Sequence, residues 1–182
     1  MPFETIRSEL MYQGKAFNVR RDQVRWHNGQ VSYLDIVDHS GAVTLIPIDE
    51  EGNIWFVRQY RHAAKTELLE LPAGTLEPEE TPENCARREV REETGMAAAE
   101  IRKVGEFYLA PGYSTEYMHI FLATKLYSAP LPGDTDEFLS VEKIPIKQAY
   151  QMAASGEIRD AKSLVALFFL QNFMEDKKAA GE

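Results

Sequence analysis

Apolar residues in this chain first alternate as in strands, and only later fall into helical spacing. Phe17, Val19, Val24 and Trp26 alternate, with a slip at Arg20-Arg21-Asp22, and Val31, Tyr33 and Ile36 carry the pattern past His27-Asn28-Gly29-Gln30. Asn-Gly accepts the positive φ of a tight hairpin, so residues 11–38 read as strands around a turn. Two or three strands alone make a poor core, so this unit has to pack on the rest of the chain or on a second copy of it. From Gly41 the character changes. Ala42 to Ile48 (AVTLIPI) is a strand of buried type, Asp49 to Asn53 a turn, and Ile54 to Tyr60 the antiparallel partner. Thr66 to Leu71 is a short strand leading into Pro72-Ala73-Gly74. Ile101 to Tyr108 and Met118 to Leu126 are two further strands around the loop Ala110 to Glu116. Leu131 to Glu137 is an acidic loop before a strand near Phe138 to Lys143. Helices are expected over Ile146–Ala154 and Lys162–Met174, the second with Leu164, Leu167, Phe168 and Leu170 at core spacing. The polar tail, 175–182, is expected to fray. Hairpin-linked strands mixed with helices predict an α+β (mixed α/β) fold, its mixed sheet packed by helices. The expected division is an N-terminal β unit over 1–40, a main domain over 41–174, and the tail.

The pattern breaks between Gly74 and Met96, GTLEPEETPENCARREVREETGM, where charge concentrates. Thr81-Pro82 is a good helix start, a threonine N-cap followed by a proline whose missing N–H costs nothing there. Gly95 takes the left-handed position that stops the helix, which therefore covers about Pro82 to Thr94. Ala86, Val90 and Cys85 supply its apolar side. Glu89, Glu92 and Glu93 are spaced i, i+3 and i+4, so they share one face. Three carboxylates on one face repel each other, and Arg88 alone cannot neutralise them all. A solvated acidic stripe is the ordinary explanation of such a face; bound metal ions are the chemical one.

The totals narrow the partners. A chain of 182 residues fits one domain, or one domain with a small appended unit. Its formal net charge of −9 argues against an electrostatic grip on nucleic acid or an anionic membrane. Divalent metals would still allow a small anionic substrate. One cysteine excludes an internal disulfide framework and suits a reducing cytosol. No basic stretch followed by an apolar one opens the chain, and the longest apolar run, Leu164 to Leu170, is too short for a bilayer. A soluble cytoplasmic protein is expected.

The spacing of the acidic segment is more informative than its charge. Gly74, five residues, Glu80, seven residues, and then Arg88-Glu89-Val90-Arg91-Glu92-Glu93-Thr94-Gly95-Met96 match every fixed position of G-x5-E-x7-R-E-U-x-E-E-x-G-U, where U is bulky and apolar. This resembles an intact Nudix box, and the resemblance implies the Nudix fold and hydrolysis of a diphosphate linked to a nucleoside. It implies magnesium, or manganese, with more than one ion per site. Such ions take carboxylate oxygens, neutralise phosphate and acidify water. By the same resemblance Glu89 and Glu93 are the principal ligands, Glu92 shares or supports them, and the Ala73 carbonyl is a further ligand. Gly74, Glu80 and Arg88 are implied as orienting residues. Pro111, fifteen positions after Met96, is similar to the marker proline of the ADP-ribose pyrophosphatase subfamily. Val57-Arg58-Gln59-Tyr60-Arg61 and Gly156-Glu157-Ile158-Arg159-Asp160-Ala161-Lys162-Ser163 also resemble that group.

That likeness implies cleavage of ADP-ribose to AMP and ribose 5-phosphate. Arg61 is expected to grip the diphosphate, Glu77 to hold substrate or water, and Tyr113, Ser114 and Glu116 to shape the terminal-ribose pocket. It also implies a homodimer that swaps its N-terminal strands, with Trp26, Tyr33 and Arg20 or Arg21 as candidate base contacts. The general base is expected in the acidic loop, at Glu137 rather than at Asp134 or Asp136, with Glu92 as the alternative. Other nucleoside diphosphate sugars or dinucleotides, such as GDP-mannose, UDP-glucose and NADH, are the competing substrates. A non-catalytic ADP-ribose sensor is the competing class, and the complete set of box carboxylates argues against it.

Overall fold

The computed structural model describes residues 3–133 and 138–180, and these divide into two compact units. The first consists of the chain up to Gly41 together with Phe107–Tyr117. It is built on an antiparallel sheet in the order β1-β2-β3, with β1 Phe3–Gln13, β2 Asn18–Trp26 and β3 Val31–Asp38. The expected hairpin joins β2 and β3. Gly29 has φ 84°, and Trp26 N–H donates to the Gln30 carbonyl at 2.8 Å. Arg21 faces Asp35 across the pair and bonds it at 2.7 Å. The slip expected at Arg20-Arg21-Asp22 is absent from the β2-β3 pairing, which keeps its register there; a register shift lies instead on β1, between Leu10 and Tyr12. β1 itself is not visible in the apolar pattern. Every residue of it is exposed, and two register shifts remove the period-2 signal.

The loop Ala110–Glu116 belongs to this first unit. Val37 N–H donates to the Tyr113 carbonyl at 2.8 Å, and Thr115 N–H donates to the Val37 carbonyl at 3.0 Å. The loop is thereby pinned along β3, a placement the sequence pattern does not reveal.

The second unit holds Ala42–Glu106 and Met118 to the C-terminus. β4 (Ala42–Pro47), β7 (Ala73–Thr75), β8 (Met96–Tyr108) and β9 (Tyr117–Ser128) form a sheet in the order β7-β4-β9-β8. It is mixed, because β4 runs antiparallel to β7 but parallel to β9. β5 (Asn53–Arg61), β6 (Thr66–Glu70) and β10 (Leu139–Pro145) make a separate antiparallel sheet, β10-β5-β6. The helices are α1 (Pro82–Thr94), α2 (Ile146–Ser155) and α3 (Ala161–Ala180). All six residues of β4 are buried, as its uninterrupted apolar run requires. Val43 and Leu45 from β4 meet Cys85, Ala86 and Val90 of α1, with Ala98, Phe121 and Ala123. Cys85 thus lies on the apolar side of the helix, as expected.

The final helix departs from the expected pattern in two ways. Its inward positions are Ser163, Ala166, Leu167 and Leu170, whereas Leu164 and Phe168 are exposed. It also runs on to Ala180, so the tail expected to fray is helical over Glu175–Ala180. Glu, Lys and Ala are strong helix formers, and no glycine or proline intervenes before Gly181. A Cβ at Gly105 would lie 2.5 Å from the Phe169 ring, so α3 presses on β8 where a side chain is missing. Among the described residues no helix is long and apolar enough to cross a membrane.

Candidate active site

The acidic helix forms by the local chemistry its sequence specifies. Thr81 is extended, with φ −78° and ψ 149°, and its hydroxyl accepts from Asn84 N–H at 3.3 Å. Gly95 closes the helix at φ 73°, donating to the Arg91 carbonyl. With Cys85, Ala86 and Val90 buried against β4 and β9, the opposite face is left with its carboxylates. Glu89 and Glu93 are nevertheless each only 8% exposed.

Their burial comes from the turn after β6. Ala73 N–H donates to Glu93 Oε2 at 3.0 Å. Glu89 lies directly over Gly74, where an added Cβ would stand 1.6 Å from Oε1. Glycine is required there to make room for a carboxylate, not to adopt an unusual φ. Arg88 fills the space between the acids. Its Nε and Nη2 bond both oxygens of Glu80 at 3.0 and 2.9 Å. Its Nη1 reaches Glu89 at 2.5 Å and Glu92 at 2.9 Å. The Arg88 hydrogen bonds hold the Glu80 carboxyl below its usual range, and the Glu80 hydrogen bond leads the causes that drive the Arg88 guanidinium up. One arginine therefore meets more of the acidic face than its charge suggests. Burial, followed by the neighbouring carboxylates, pushes the Cys85 thiol up, which makes it a poor nucleophile.

Among the described residues no three His, Cys, Asp or Glu side chains form a ready coordination shell. Glu89 and Glu92 turn to Arg88, and Glu93 turns to the Ala73 N–H. The available donors are hard oxygens on a capped helix and an adjoining turn, the donor chemistry that suits magnesium or manganese rather than a soft metal. Gly74 leaves room for one of those donors, so the residues fit such an ion.

The other expected site residues are distributed as follows. Arg61, at the end of β5, clasps Glu70 with two hydrogen bonds, Nε–Oε1 at 2.8 Å and Nη2–Oε2 at 2.7 Å. The Glu70 hydrogen bond raises its pKa most, and Glu93 and Asp160 add to the rise, which sets Arg61 in the field of the box. Glu77 has an exposed side chain, and its N–H donates to Glu80 Oε2 at 3.1 Å. Tyr113 is exposed, Ser114 buried and Glu116 half-buried, all in the first unit; Ser114 Oγ accepts from Glu116 N–H at 3.1 Å. Also there, Trp26 packs edge-on to Phe3 and donates to Ser32, Arg20 pairs with Asp22 and Asp38, and Tyr33 is exposed. Glu137, Asp134 and Asp136 lie outside the described residues.

One cluster was not foreseen. Glu70, the last residue of β6, is 1% exposed and is met by Lys162 as well as Arg61. Burial works to raise its pKa, but the Arg61 hydrogen bonds, followed by the charge and hydrogen bond of Lys162, outweigh it and hold the carboxyl below its usual range.

The chain is similar to several known proteins. The NUDIX domain model matches residues 38–167. The ADP-ribose pyrophosphatase of Bacillus subtilis (strain 168) is 37% identical over 170 residues, 92% of each chain. The GDP-mannose pyrophosphatase of Enterobacter sp. (strain 638) is 38% identical over 166 residues, 85% of this chain and 86% of that one. A solved structure titled as an ADP compounds hydrolase shares the fold, with a TM-score of 0.86 and 22% identity over 97% of this chain and 96% of that one. With the box complete and folded around Gly74 and Arg88, the chain belongs to the Nudix family.

Proposed function

We propose that this protein hydrolyses the diphosphate bond of ADP-ribose, giving AMP and ribose 5-phosphate, with the help of divalent metal. The observation that carries this is the seating of Glu89 over Gly74 beside Glu93 and the Arg88 clamp. The likeness to an ADP-ribose pyrophosphatase over 92% of each chain supports the substrate. Glu89, Glu93, Glu92 and the Ala73 carbonyl would hold magnesium, or manganese, with more than one ion per site. When bound, such ions neutralise phosphate charge and lower the pKa of water.

The chain's own groups do the rest. Arg61 orients the diphosphate, and Glu77 holds substrate or water. Arg88 and Glu80 keep the carboxylates in register. Tyr113, Ser114 and Glu116 recognise the terminal ribose, with Glu116 accepting from its hydroxyls. Glu137 takes the proton of the attacking water as its oxygen bonds to one phosphorus and the bridging P–O bond breaks; Glu92 is the alternative base. A panel of ADP-ribose, GDP-mannose, UDP-glucose and NADH with magnesium, scored for released phosphomonoester, tests this. ADP-ribose is expected to turn over fastest. Faster turnover of GDP-mannose would move the specificity to the second substrate, which the Enterobacter relative favours. Binding of ADP-ribose without turnover of any of the four would make the protein a sensor instead.

A homodimer in the cytoplasm is part of the same proposal. Phe3, Ile6, Leu10, Met11, Tyr12, Val31 and Tyr33 are all exposed on the β1-β2-β3 sheet, apolar side chains that a second copy would cover. Light scattering is expected to give twice the chain mass, and a clean monomer would remove the strand exchange.

A further inference from the structure

We infer that Lys162, held by Asp160 beside Ser163, is a positioning residue for the diphosphate end of the site, acting on the substrate through Glu70 and Arg61. This rests on the assignment of Arg61 to the diphosphate.

Glu70 is 1% exposed, and a carboxylate so buried is costly unless cations and hydrogen bonds surround it. Arg61 donates to it from Nε and Nη2, and no hydrogen bond from Nη1 to a protein acceptor is present among the described residues. The guanidinium is thus fixed at one edge and has an arm left for a phosphate oxygen. Lys162, 8% exposed, shares Glu70 Oε2 with Arg61 Nη2 and reaches Asp160 Oδ2 at 2.9 Å. The group as a whole is two cations and two carboxylates. Without the ammonium, two carboxylates would face one guanidinium, and Arg61 would meet a phosphate from a patch of net negative charge. Lys162 therefore does two things at once: it completes the shell of Glu70, which locks Arg61 in angle, and it preserves the positive character of that arginine.

The same cluster reaches the turn at Ala73. Asp160 Oδ2 accepts from Ser163 N–H at 3.0 Å and from its hydroxyl at 2.6 Å. With its proton committed there, Ser163 Oγ presents a lone pair to Leu71 N–H at 2.7 Å. The next two residues are held in turn, Pro72 by Leu45 N–H at 2.8 Å and Ala73 by Glu93. The start of α3 thus fixes both the arginine and the first residue of the turn that carries the Ala73 carbonyl.

The test is a double-mutant cycle read by binding and by turnover. Affinity for ADP, a plain diphosphate probe, is measured by calorimetry for the wild type, K162M, R61A and K162M/R61A, with KM and kcat for ADP-ribose alongside. K162M is expected to weaken ADP binding and raise KM about tenfold, with kcat much less affected, and K162R to restore most of the loss. In the R61A background K162M is expected to add nothing, since its effect passes through Arg61. D160N, which keeps shape and loosens the hold on Lys162, is expected to follow the same non-additive pattern and serves where K162M does not fold. Unchanged ADP affinity in folded K162M or D160N would overturn the inference. Effects that add fully to those of R61A would do the same, because they would mark a general loss of structure. The parent assignment fails separately: if R61A itself leaves ADP binding and KM unchanged, Arg61 is not the diphosphate grip, and Lys162 has nothing to act through.

Discussion

Glu93→Gln is expected to abolish most of the activity while leaving the fold untouched. Glutamine keeps an oxygen for the Ala73 N–H that now donates to Glu93 at 3.0 Å, so the turn stays tied to α1. It also removes one of three negative charges from a crowded helix face, which does not cost stability. What it loses is an anionic donor for a divalent ion. Loss of groups that merely support metal ligands already costs about 10- to 100-fold, so loss of a ligand is expected to cost at least about a hundredfold. Steady-state kinetics over a range of magnesium concentrations, with a thermal melt as control, checks this. A variant that turns over at close to the wild-type rate would mean that the metal site lies elsewhere.

Gly74→Ala is the second large effect, and it separates geometry from charge. The new methyl would lie 1.6 Å from Oε1 and 1.9 Å from Cδ of Glu89, so the two cannot coexist as they stand. The colliding group is the end of a flexible side chain, so it swings away at modest cost in stability. In swinging away it leaves its place over the turn and its 2.5 Å contact with Arg88. All the box carboxylates would then be present and one would be misplaced. Turnover is expected to fall by roughly 100-fold, as a misplacement of about an ångström can cause, with circular dichroism little changed. Retention of full activity would show that the position of Glu89 over Gly74 is not the working one.

The parts that sequence made legible are those whose reasons are local. The helix Pro82–Thr94 could be read because Thr81, Pro82 and Gly95 each act on neighbours a few residues away. The resemblance to the Nudix box implied that Glu80 and Arg88 orient the segment, and in the fold the two are paired. β1 was missed because its residues face solvent and its register shifts twice, so no alternation reports it. The inward face of α3 was misassigned at Leu164 and Phe168 because an apolar run fits several faces, and only the partner surface decides. The Glu70 cluster was missed for a different reason. Arg61, Glu70 and Lys162 come from three separate segments, and no local pattern announces that they meet. Likewise the loop Ala110–Glu116 pairs with β3 from far along the chain, through Val37.

The parallel pairing of β4 with β9 has a kinetic consequence. It joins Ala42 to Met118 and Pro47 to Ala123, so the turn at Gly74, all of α1 and all of β8 lie inside the loop it closes. Closing a loop of that length costs entropy before any contact repays it, which makes such pairings slow. A helix as short as α1, with adjacent like charges, is marginal by itself in water. Its buried side chains need Val43 and Leu45 of β4 and Phe121 and Ala123 of β9. The carboxylate face is therefore assembled late in folding, and a nascent chain that has not yet yielded β9 carries every residue of the box without the box itself.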